Sequence, residues 1–334
     1  MKLATTLKLL LLALLIMGIV AGSGYFYVTS QLQQPLNIDR AQLLTVQKGQ
    51  SATRVLLNLE QQQIIADVTS LKILLKFQPQ LAAFKAGTYE LQPLMSARQL
   101  VDLLVSGKEK QFSISLVEGL QWREWLVTLR SHPQLIFDAS TEDAINALVS
   151  DLPGNLMEGW LMPDTYHFAQ GTNAFTIIEI AYQQMRQYLQ QQWQIRALDV
   201  PYNTPYESLI MASIIEKETA VPAERSRIAG VFVNRLNLNM RLQTDPTVIY
   251  GLGPDFDGDI KRKDLKTPTP YNTYVIKGLP PTPIAMPGKL AIQAALNPLP
   301  TDELYFVARG DGSHQFSVTL QEHNQAVKQY QLNQ

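Results

Sequence analysis

The chain of 334 residues contains no cysteine and only four histidines. The missing cysteines exclude disulfide bonds, thiolate catalysis and cysteine-ligated metals. The histidines are scattered and lack the spacing of metal ligands, so ordinary hydrogen-bonded or surface roles are the simpler interpretation. They are His132, His167, His314 and His323. The sequence therefore predicts neither a bound metal nor a cofactor.

Charge is also scarce, and several common catalytic motifs are missing. Only 17% of the residues are charged and the net charge is −1, whereas a nucleic-acid-binding protein would show a basic stripe. The sequence has no GxSxG elbow, P-loop, HExxH or GxGxxG motif. Asp255, Asp257 and Asp259 resemble a calcium loop, but the glycine falls at position 258 and no glutamate stands at the closing position. We therefore expect a solvated acidic loop there and no nucleic-acid partner.

A long uncharged apolar run is present near the N-terminus. Lys2 and Lys8 precede residues 9–28, a length that suits a helix crossing a bilayer. The positive-inside rule then places residues 1–8 in the cytoplasm and the rest of the chain outside. A cleaved signal peptide, cut at the small residues Ala21–Ser23, is the alternative. Because the apolar run continues beyond that point, a single uncleaved transmembrane helix is favoured.

The remaining chain divides into three segments by composition and pattern. Residues 29–40 are polar and predict a short tether. Residues 41–110 predict a strand, two helices, a strand and a third helix that ends at Gly107. That order looks like a LysM-like module, a small fold that binds cell-wall glycans, although a plain spacer is the alternative. Residues 111–334 mix helices and strands without regular alternation, so we expect a mixed α/β domain and an α+β class overall.

One glutamate falls on the apolar side of a predicted helix. In MASIIEKETA, residues 211–220, positions three, four and seven apart share a face. Ile214, Ile215 and Glu218 therefore lie on one stripe, where a leucine would be expected in place of the acid. Glu216 and Lys217 are predicted to project toward solvent.

A carboxyl group in that position has a chemical use. Burial disfavours its charged form and raises its pKa, and a general acid for glycosidic cleavage must be protonated near neutral pH. The pattern alone leaves a structural role open, in which Glu218 pairs with a buried Arg225, Arg227 or Arg235.

Several longer stretches resemble the endolytic murein transglycosylases, the YceG-like family. The stretches occur in the family's order and, with the anchor and the LysM-like module, extend the resemblance over nearly the whole chain. They are EGWLMPDTYHF (158–168), SLIMASIIEKETAV (208–221), RLQTDPTVIYG (241–251), TPYNTY (269–274), GLPPTPI (278–284), AALNP (294–298) and HNQAV (323–327). Trp160 departs from the tyrosine common at that position, and either ring could pack against a sugar.

The resemblance implies an enzyme that cleaves peptidoglycan glycan strands internally and without hydrolysis. The catalytic glutamate of the family's EKET motif corresponds to Glu218. It would protonate the glycosidic oxygen between MurNAc and GlcNAc, and its carboxylate would then take a proton from the MurNAc C6 hydroxyl, which closes a 1,6-anhydro ring. Cutting nascent strands would limit glycan elongation.

The resemblance also implies location and partners. The N-terminus would lie in the cytoplasm, the helix in the inner membrane and the catalytic domain in the periplasm. The partners would be glycan strands, the inner membrane and penicillin-binding glycan polymerases.

Polar residues of the same stretches are candidates for substrate contact, and support of loop shape is the alternative for each. They are Asn234, Gln243, Thr244, Asp245, Tyr250, Tyr271, Asn272, Glu158 and Tyr166. Two other functions stay open. A muramidase would use Asp245 or Glu158 as its second carboxylate, and a non-catalytic scaffold would bind glycan and recruit peptidoglycan synthases.

Overall fold

The computed structural model describes residues 2–332 and the side chains of residues 7–332. Met1, Asn333 and Gln334, which the sequence assigns to the cytoplasmic tail and the catalytic domain, lie outside the described residues. The chain forms two compact units. The first unit comprises Met1–Phe112 with Phe168–Gln170, and the second comprises Ser113–His167 with Gly171–Gln334.

The first unit contains the long N-terminal helix and a two-stranded antiparallel sheet. The strands pair from Gln42 with Leu91 to Val46 with Gly87. Buried side chains of its helices, of both strands and of the connecting segments form its core, and most of them are leucines, valines and isoleucines. The elements are α1 (Lys2–Gln33), β1 (Gln42–Val46), α2 (Ala52–Gln61), α3 (Thr69–Phe77), β2 (Gly87–Leu91) and α4 (Ala97–Ser106).

Helix α1 extends beyond the predicted transmembrane run. Its segment Leu7–Gln33, whose most apolar 18-residue stretch has a mean hydropathy of 2.3, is long and apolar enough to cross a membrane. The prediction of a polar tether over residues 29–40 is wrong, because the helix continues to Gln33 and the following chain is docked. Leu32 and Leu36 are both buried in the first unit's core, and the Leu36 amide donates to the Met95 carbonyl over 2.7 Å.

Local signals explain where the helices of this unit begin and end. The Ser51 hydroxyl caps α2 by accepting from the Arg54 amide. Ser96 and Gln99 form a reciprocal capping box at the start of α4. Gly107 follows α4 with φ +71°, a left-handed conformation that glycine adopts without steric cost. The predicted helix end at Gly107 is therefore confirmed.

The second unit and the strands at its border are mixed in type. β3 pairs with β5, β4 pairs with β6 in parallel, and β7 pairs with β8 in an antiparallel hairpin. The predicted mixed α/β character is confirmed. The elements are β3 (Gln111–Leu116), α5 (Trp122–Ser131), β4 (Leu135–Ile136), α6 (Ala139–Ser150), β5 (Asp164–Ala169), β6 (Thr172–Asn173), α7 (Ala174–Gln194), α8 (Pro205–Glu218), α9 (Arg225–Asn237), α10 (Asp245–Leu252), α11 (Lys289–Leu296), β7 (Tyr305–Ala308), β8 (His314–Ser317) and α12 (Leu320–Val327).

Helix α8 is the centre of the second unit's core. Every residue from 208 to 215 is buried, and α7, α9, α10 and α11 pack around it. The hydroxyl group of the buried Ser213 has hydrogen-bond partners inside the protein. Its Oγ donates to the Ile210 carbonyl over 2.7 Å and accepts from the Ile284 amide over 3.0 Å. A helix buried on all sides is a rigid support, and it ends at Glu218.

Candidate active site

The C-terminal end of α8 presents Glu218 to an open cleft. Pro205 occupies the first turn and the Thr204 hydroxyl accepts from the Glu207 amide, which sets the start of the helix. The helix stops because Thr219 has extended backbone angles, φ −144° and ψ 134°. Glu218 then lines a cavity of about 540 Å³, here called the Glu218 cleft.

The rest of the Glu218 cleft comes from α9, from the loop before α10 and the start of α10, from the loop that carries Tyr274, from the β7–β8 hairpin, and from α12 with the residues after it. Its wall is mostly polar and aromatic. Its polar and aromatic side chains include those of Arg235, Gln243, Thr244, Asp245, Tyr274, Tyr305, Phe306, His314, His323 and Asn324.

The surroundings of Glu218 keep its carboxyl group protonated to an unusual extent. Loss of hydration raises the pKa of Glu218 to about 7. The hydroxyl of Thr244, which donates to Oε1 of Glu218, lowers that pKa, and the nearby charge of Asp245 raises it. His314 and Arg235 lower it by smaller amounts. Near neutral pH the group therefore exists in both forms, as a proton donor and acceptor must.

No arginine forms an ion pair with Glu218 in the part of the chain that the structure describes. Arg225 pairs with Glu216 and Arg227 pairs with Glu303. Arg235 instead holds the cleft wall together, because Nε donates to the Leu304 carbonyl and Nη1 to the Leu242 carbonyl, each over 2.6 Å. The structural role left open for Glu218 would require such a pair, and the geometry does not provide it.

The solvent-facing position predicted for Glu216 is wrong. Its side chain is only 4% exposed and accepts from Arg225 Nη2 over 2.9 Å. Its other oxygen accepts from the Gly288 amide over 2.8 Å. Burial raises the pKa of Glu216, while the Gly288 amide and Arg225 act in the opposite direction. The residue therefore ties the end of α8 to the starts of α9 and α11.

The residues next to Glu218 in the cleft are fixed by a small threonine cluster. The Thr244 amide donates to Thr273 Oγ1 over 3.0 Å, and Thr247 Oγ1 donates to the Thr244 carbonyl over 2.7 Å. Gln243 has φ +52°, a left-handed conformation that is uncommon for a side chain of its size. This backbone is held in place by the fold, so the Thr244 hydroxyl meets Glu218 in a defined orientation.

Asp245 is the second carboxylate of the Glu218 cleft. It opens α10, and Tyr274 donates its hydroxyl hydrogen to Oδ1 of Asp245 over 2.6 Å. Burial raises the pKa of the Tyr274 phenol, so this hydroxyl stays a donor. Of the predicted contact residues, Gln243, Thr244 and Asp245 line the cleft with Glu218.

Three other predicted contact residues hold backbone instead of lining the cleft. The Asn234 amide donates to the carbonyls of Thr301 and Glu303 over 2.6 and 3.0 Å. Asn272 is 1% exposed, and its amide donates to the Asp264 and Thr267 carbonyls. The Tyr166 hydroxyl donates to the Met162 carbonyl over 2.5 Å.

The remaining three form a separate buried cluster. Glu158 accepts from the Trp122 amide over 3.0 Å and from the Tyr250 hydroxyl over 3.3 Å. The rings of Tyr250 and Tyr271 lie 4.8 Å apart in an edge-to-face arrangement, and the Tyr271 hydroxyl is 2.9 Å from that of Thr282. Burial raises the pKa of Glu158 to about 7. Glu158 and Glu218 thus both have a pKa raised to about 7, and of these two only Glu218 lines the cleft.

The substitution Glu158→Gln tests which property identifies the general acid: a raised pKa alone, or a raised pKa together with a position in the Glu218 cleft. Glutamine can still accept from the Trp122 amide, and Glu158 does not line the Glu218 cleft. We expect kcat for the reaction at the Glu218 cleft to stay within about threefold of wild type, since the general-acid contribution of roughly 10² to 10⁴ is untouched. A hundredfold loss in a variant with unchanged thermal stability would identify Glu158 as a second catalytic carboxylate.

The sequence did not single out several residues of the cleft wall. Tyr274 and His323 belong to the family stretches TPYNTY and HNQAV, so motif membership is the signal that points to them. Tyr305 and His314 come from the β7–β8 hairpin, whose strand pattern does not say which face meets the cleft. His314 is positioned by Glu224, 2.7 Å from its Nδ1, and the His323 ring stacks on Tyr305.

A carboxyl group that titrates near neutrality, on a rigid helix end and open to a polar cleft, defines a general acid–base enzyme. The model of the YceG-like family matches residues 44–329. The chain belongs to this family, and the resemblance seen in the motifs is confirmed.

Individual relatives agree with the family assignment. A protein of Bacillus subtilis named endolytic murein transglycosylase is 32% identical over 93% of this chain and 91% of its own length. One of the same name from Streptococcus pneumoniae serotype 2 is 26% identical over 95% of this chain, which spans 64% of that relative. The crystal structure of a YceG-like protein from Listeria monocytogenes matches with a TM-score of 0.53 and 30% identity, over 86% of this chain and 99% of that one.

Proposed function

We propose that the protein is a lytic transglycosylase that cleaves the bond between MurNAc and GlcNAc within peptidoglycan strands and leaves 1,6-anhydroMurNAc ends. The observation that carries this proposal is Glu218, a carboxyl group with a pKa of about 7 in an open polar cleft. The names of the relatives from Bacillus subtilis and Streptococcus pneumoniae support murein as the substrate class.

In this reaction one carboxyl group serves twice. Protonated Glu218 donates to the glycosidic oxygen, the bond from that oxygen to C1 of MurNAc breaks, and positive charge develops at C1. The carboxylate so formed takes the proton of the C6 hydroxyl, whose oxygen bonds to C1. The Thr244 hydroxyl, which donates to Oε1, orients the carboxyl group and stabilises its anionic form. Glu218 ends the cycle protonated and no water is consumed.

A hydrolytic muramidase is the second candidate, because Asp245 lies in the same cleft as Glu218. A second carboxylate can act as a nucleophile or activate water. The other carboxylate considered, Glu158, does not line this cleft.

Product analysis separates the candidates. Purified glycan strands are digested and their reducing ends are weighed by mass spectrometry. Ends one water lighter than free MurNAc support the proposal, whereas free MurNAc ends support the muramidase. Binding of strands without cleavage, on long, short and nascent substrates, would support the scaffold.

The pH dependence of cleavage follows from the raised pKa of Glu218. The first step needs the protonated form, so kcat/KM should be level below pH about 7 and fall about tenfold per pH unit above it. An unperturbed glutamate, with its ordinary pKa of 4.5, would start that decline more than two pH units earlier. Rates between pH 5 and 9 at fixed ionic strength check this expectation, and a decline beginning near pH 5 would contradict it.

The N-terminal helix is proposed as an uncleaved anchor in the inner membrane, with the N-terminus cytoplasmic and the second unit periplasmic. The length and hydropathy of Leu7–Gln33 support this assignment. Two separate experiments test this assignment. Isolated membranes are extracted with alkaline carbonate, and intact spheroplasts are treated with protease. A protein that stays in the membrane and loses its second unit to external protease agrees, and a soluble protein or a protected second unit contradicts.

The first unit is proposed to act as a LysM-like glycan-binding module. Its strand–helix–helix–strand order supports this, as does a polar cavity of about 520 Å³ at the loop between β1 and α2. Arg54 and Asn58 line that cavity. The double substitution Arg54→Ala/Asn58→Ala, in the inactive Glu218→Gln chain, should weaken binding to insoluble peptidoglycan. Unchanged binding would favour a spacer role.

Cleavage of nascent strands is proposed to limit their elongation, alongside penicillin-binding glycan polymerases. Cells that carry Glu218→Gln should then have longer glycan strands than wild type. An unchanged length distribution would contradict this role.

The partnership with glycan polymerases is tested by cross-linking, followed by purification of the detergent-solubilised protein. Glycan polymerases that co-purify with the protein support the partnership, and their absence after cross-linking would contradict it.

A further inference from the structure

A groove runs between helices α1 and α3 of the first unit. Its volume is about 860 Å³, within the range of roughly 300–1,000 Å³ that is usual for sites of small molecules. Helix α1 contributes one face to it, because its lining residues recur three and four positions apart between Ala21 and Gln33. The other lining side chains include Ile73 and Phe77 of α3 and Arg98 of α4. We call it the α1–α3 groove.

The lining of the α1–α3 groove changes from buried to exposed along its length. Leu32 of α1 and Leu74 of α3 are buried and belong to the core of the first unit. Tyr25 of α1 and Phe77 of α3 are 74% and 81% exposed. The groove therefore continues the apolar surface of α1 as far as the core, and its exposed part lies beside the apolar run of that helix.

The length of α1 places the groove at one edge of the bilayer. The uncharged run over residues 9–28 is about 30 Å long as a helix, which matches the hydrocarbon layer. With that run in the hydrocarbon, residues 21–28 lie in its periplasmic half and residues 29–33 lie among the headgroups. Ile73 and Phe77 line the same groove as these residues, so they lie at the level of the periplasmic leaflet.

Helix α3 has the pattern of a helix that rests on a membrane surface. Ile73 and Phe77 are one turn apart on the same face, and both are exposed. Lys72 and Lys76 stand beside them and are also exposed, whereas Asp67 precedes the helix. An apolar face flanked by lysines suits an interface with anionic headgroups. Exposed apolar surface that adjoins a membrane helix is thus matched in chemistry to lipid.

We propose that an acyl chain of a phospholipid from the periplasmic leaflet occupies the α1–α3 groove, and that Ile73 and Phe77 enter the leaflet beside it. This inference rests on the proposed membrane anchor. The groove has room for such a chain, since a Cβ atom at Gly24 would meet nothing within 4 Å among the described residues beyond its own helix backbone. Two helices, α1 and α3, then hold the first unit against the membrane.

Spin labels test the depth of α3. The chain has no cysteine, so Phe77→Cys and Leu57→Cys each give one labelled site in the full-length protein. Leu57 is the matched control, an exposed apolar residue of α2 that does not line the groove. In vesicles of phosphatidylethanolamine and phosphatidylglycerol, the label at Phe77 should be more accessible to oxygen than to a water-soluble nickel chelate, with the reverse at Leu57. Equal accessibilities at the two sites would overturn the inference.

A third label separates the inference from the anchor on which it rests. Met17 lies in the middle of the apolar run, and Met17→Cys reports whether α1 is in the bilayer. A label in lipid at Met17 with a label in water at Phe77 would overturn the inference and leave the anchor intact. A label in water at Met17 would overturn both.

A photoreactive phospholipid tests what occupies the groove. The full-length protein is placed in the same vesicles with a phospholipid that carries a diazirine on its acyl chain, and adducts are mapped by mass spectrometry. Gly24→Phe fills the groove with a phenyl ring. Gly22→Phe is the matched control, because Gly22 is also surrounded by open space on α1 but does not line the groove.

Lipid adducts on α3 should be about tenfold fewer in Gly24→Phe than in wild type, because the ring takes the space of the chain. In Gly22→Phe they should be unchanged. Equal adduct levels in the two variants would overturn the inference. Disulfide-linked dimers of unlabelled Phe77→Cys, without lipid adducts on α3 of the wild type, would assign the groove to a second copy of the chain and would also overturn it.

Discussion

Replacing Glu218 by glutamine is expected to lower kcat for strand cleavage by about a thousandfold. Glutamine keeps the shape of the side chain and can still accept from the Thr244 hydroxyl. It can neither deliver a proton to the glycosidic oxygen nor take one from the C6 hydroxyl, and such transfers contribute roughly 10² to 10⁴ in rate. Initial rates on purified strands at saturating concentration measure the loss. A decrease smaller than tenfold would contradict the assigned role.

The same variant should be more stable than wild type at alkaline pH. Folding raises the pKa of Glu218 from 4.5 to about 7, so its stabilising contribution is complete below pH 4.5 and is lost as pH rises through 7. At about 1.4 kcal/mol per pH unit, ionised Glu218 costs the folded state up to about 3 kcal/mol above pH 8. Glutamine avoids that cost. Urea unfolding at pH 5 and pH 9 tests the sign, and equal stability of both proteins at pH 9 would contradict the burial of this carboxyl group.

Arg225→Ala should destabilise the protein by about 3–5 kcal/mol. The Glu216–Arg225 pair is buried, with side chains 4% and 9% exposed, and removal of one partner leaves an uncompensated charge in the interior. The Gly288 amide still donates to Glu216 but carries no countercharge. Urea unfolding at pH 7 measures the loss. For comparison, Arg130→Ala breaks an exposed pair and should cost about 1 kcal/mol or less.

A double substitution separates the pair from the packing around it. Glu216→Gln/Arg225→Met removes both charges at similar volume, and a buried ion pair is often replaced in this way at little cost. The double variant should therefore recover most of the stability that Arg225→Ala loses. A double variant as unstable as Arg225→Ala would show that shape, and not charge, governs this position. A loss below 1 kcal/mol in Arg225→Ala itself would contradict the buried pair.

The helix that carries Glu218 illustrates what a periodic pattern can predict. Placing Glu218 on the stripe of Ile214 and Ile215 identified an acid with lost hydration, and its pKa is indeed raised. The same periodicity predicted that Glu216 is exposed to solvent. That prediction was wrong because Gly288, which lies far along the chain, contacts this face of the helix. Periodicity predicts which side of a helix is apolar, but tertiary neighbours determine whether the other side is exposed to solvent.

The prediction of a polar tether was wrong for a related reason. Residues 29–40 are polar on average, and the average hides Leu32 and Leu36, two side chains that dock into a core built from residues up to 104. Composition describes a segment as a whole, whereas two well-placed leucines are enough to anchor it. The end of α4 was predictable because Gly107 acts through its own backbone and needs no distant partner.

The polar residues of the family stretches are of two kinds that sequence cannot separate. Gln243 and Thr244 line the cleft, while Asn234 and Asn272 bind backbone carbonyls and keep loops in shape. Both kinds are short, polar and close to Glu218 in motif order. The structure distinguishes the two kinds, because it shows whether each hydrogen-bonding group already has a partner inside the protein.

The central claim is that Glu218 acts first as an acid and then as a base without consuming water. Digestion of glycan strands in water labelled with a heavy oxygen isotope tests it most directly, because the two candidate reactions draw the new oxygen at C1 from different sources. Intramolecular ring closure predicts product ends one water lighter than MurNAc that carry no label and are absent with Glu218→Gln. Ends that incorporate the label from the first turnover would contradict the claim and establish hydrolysis.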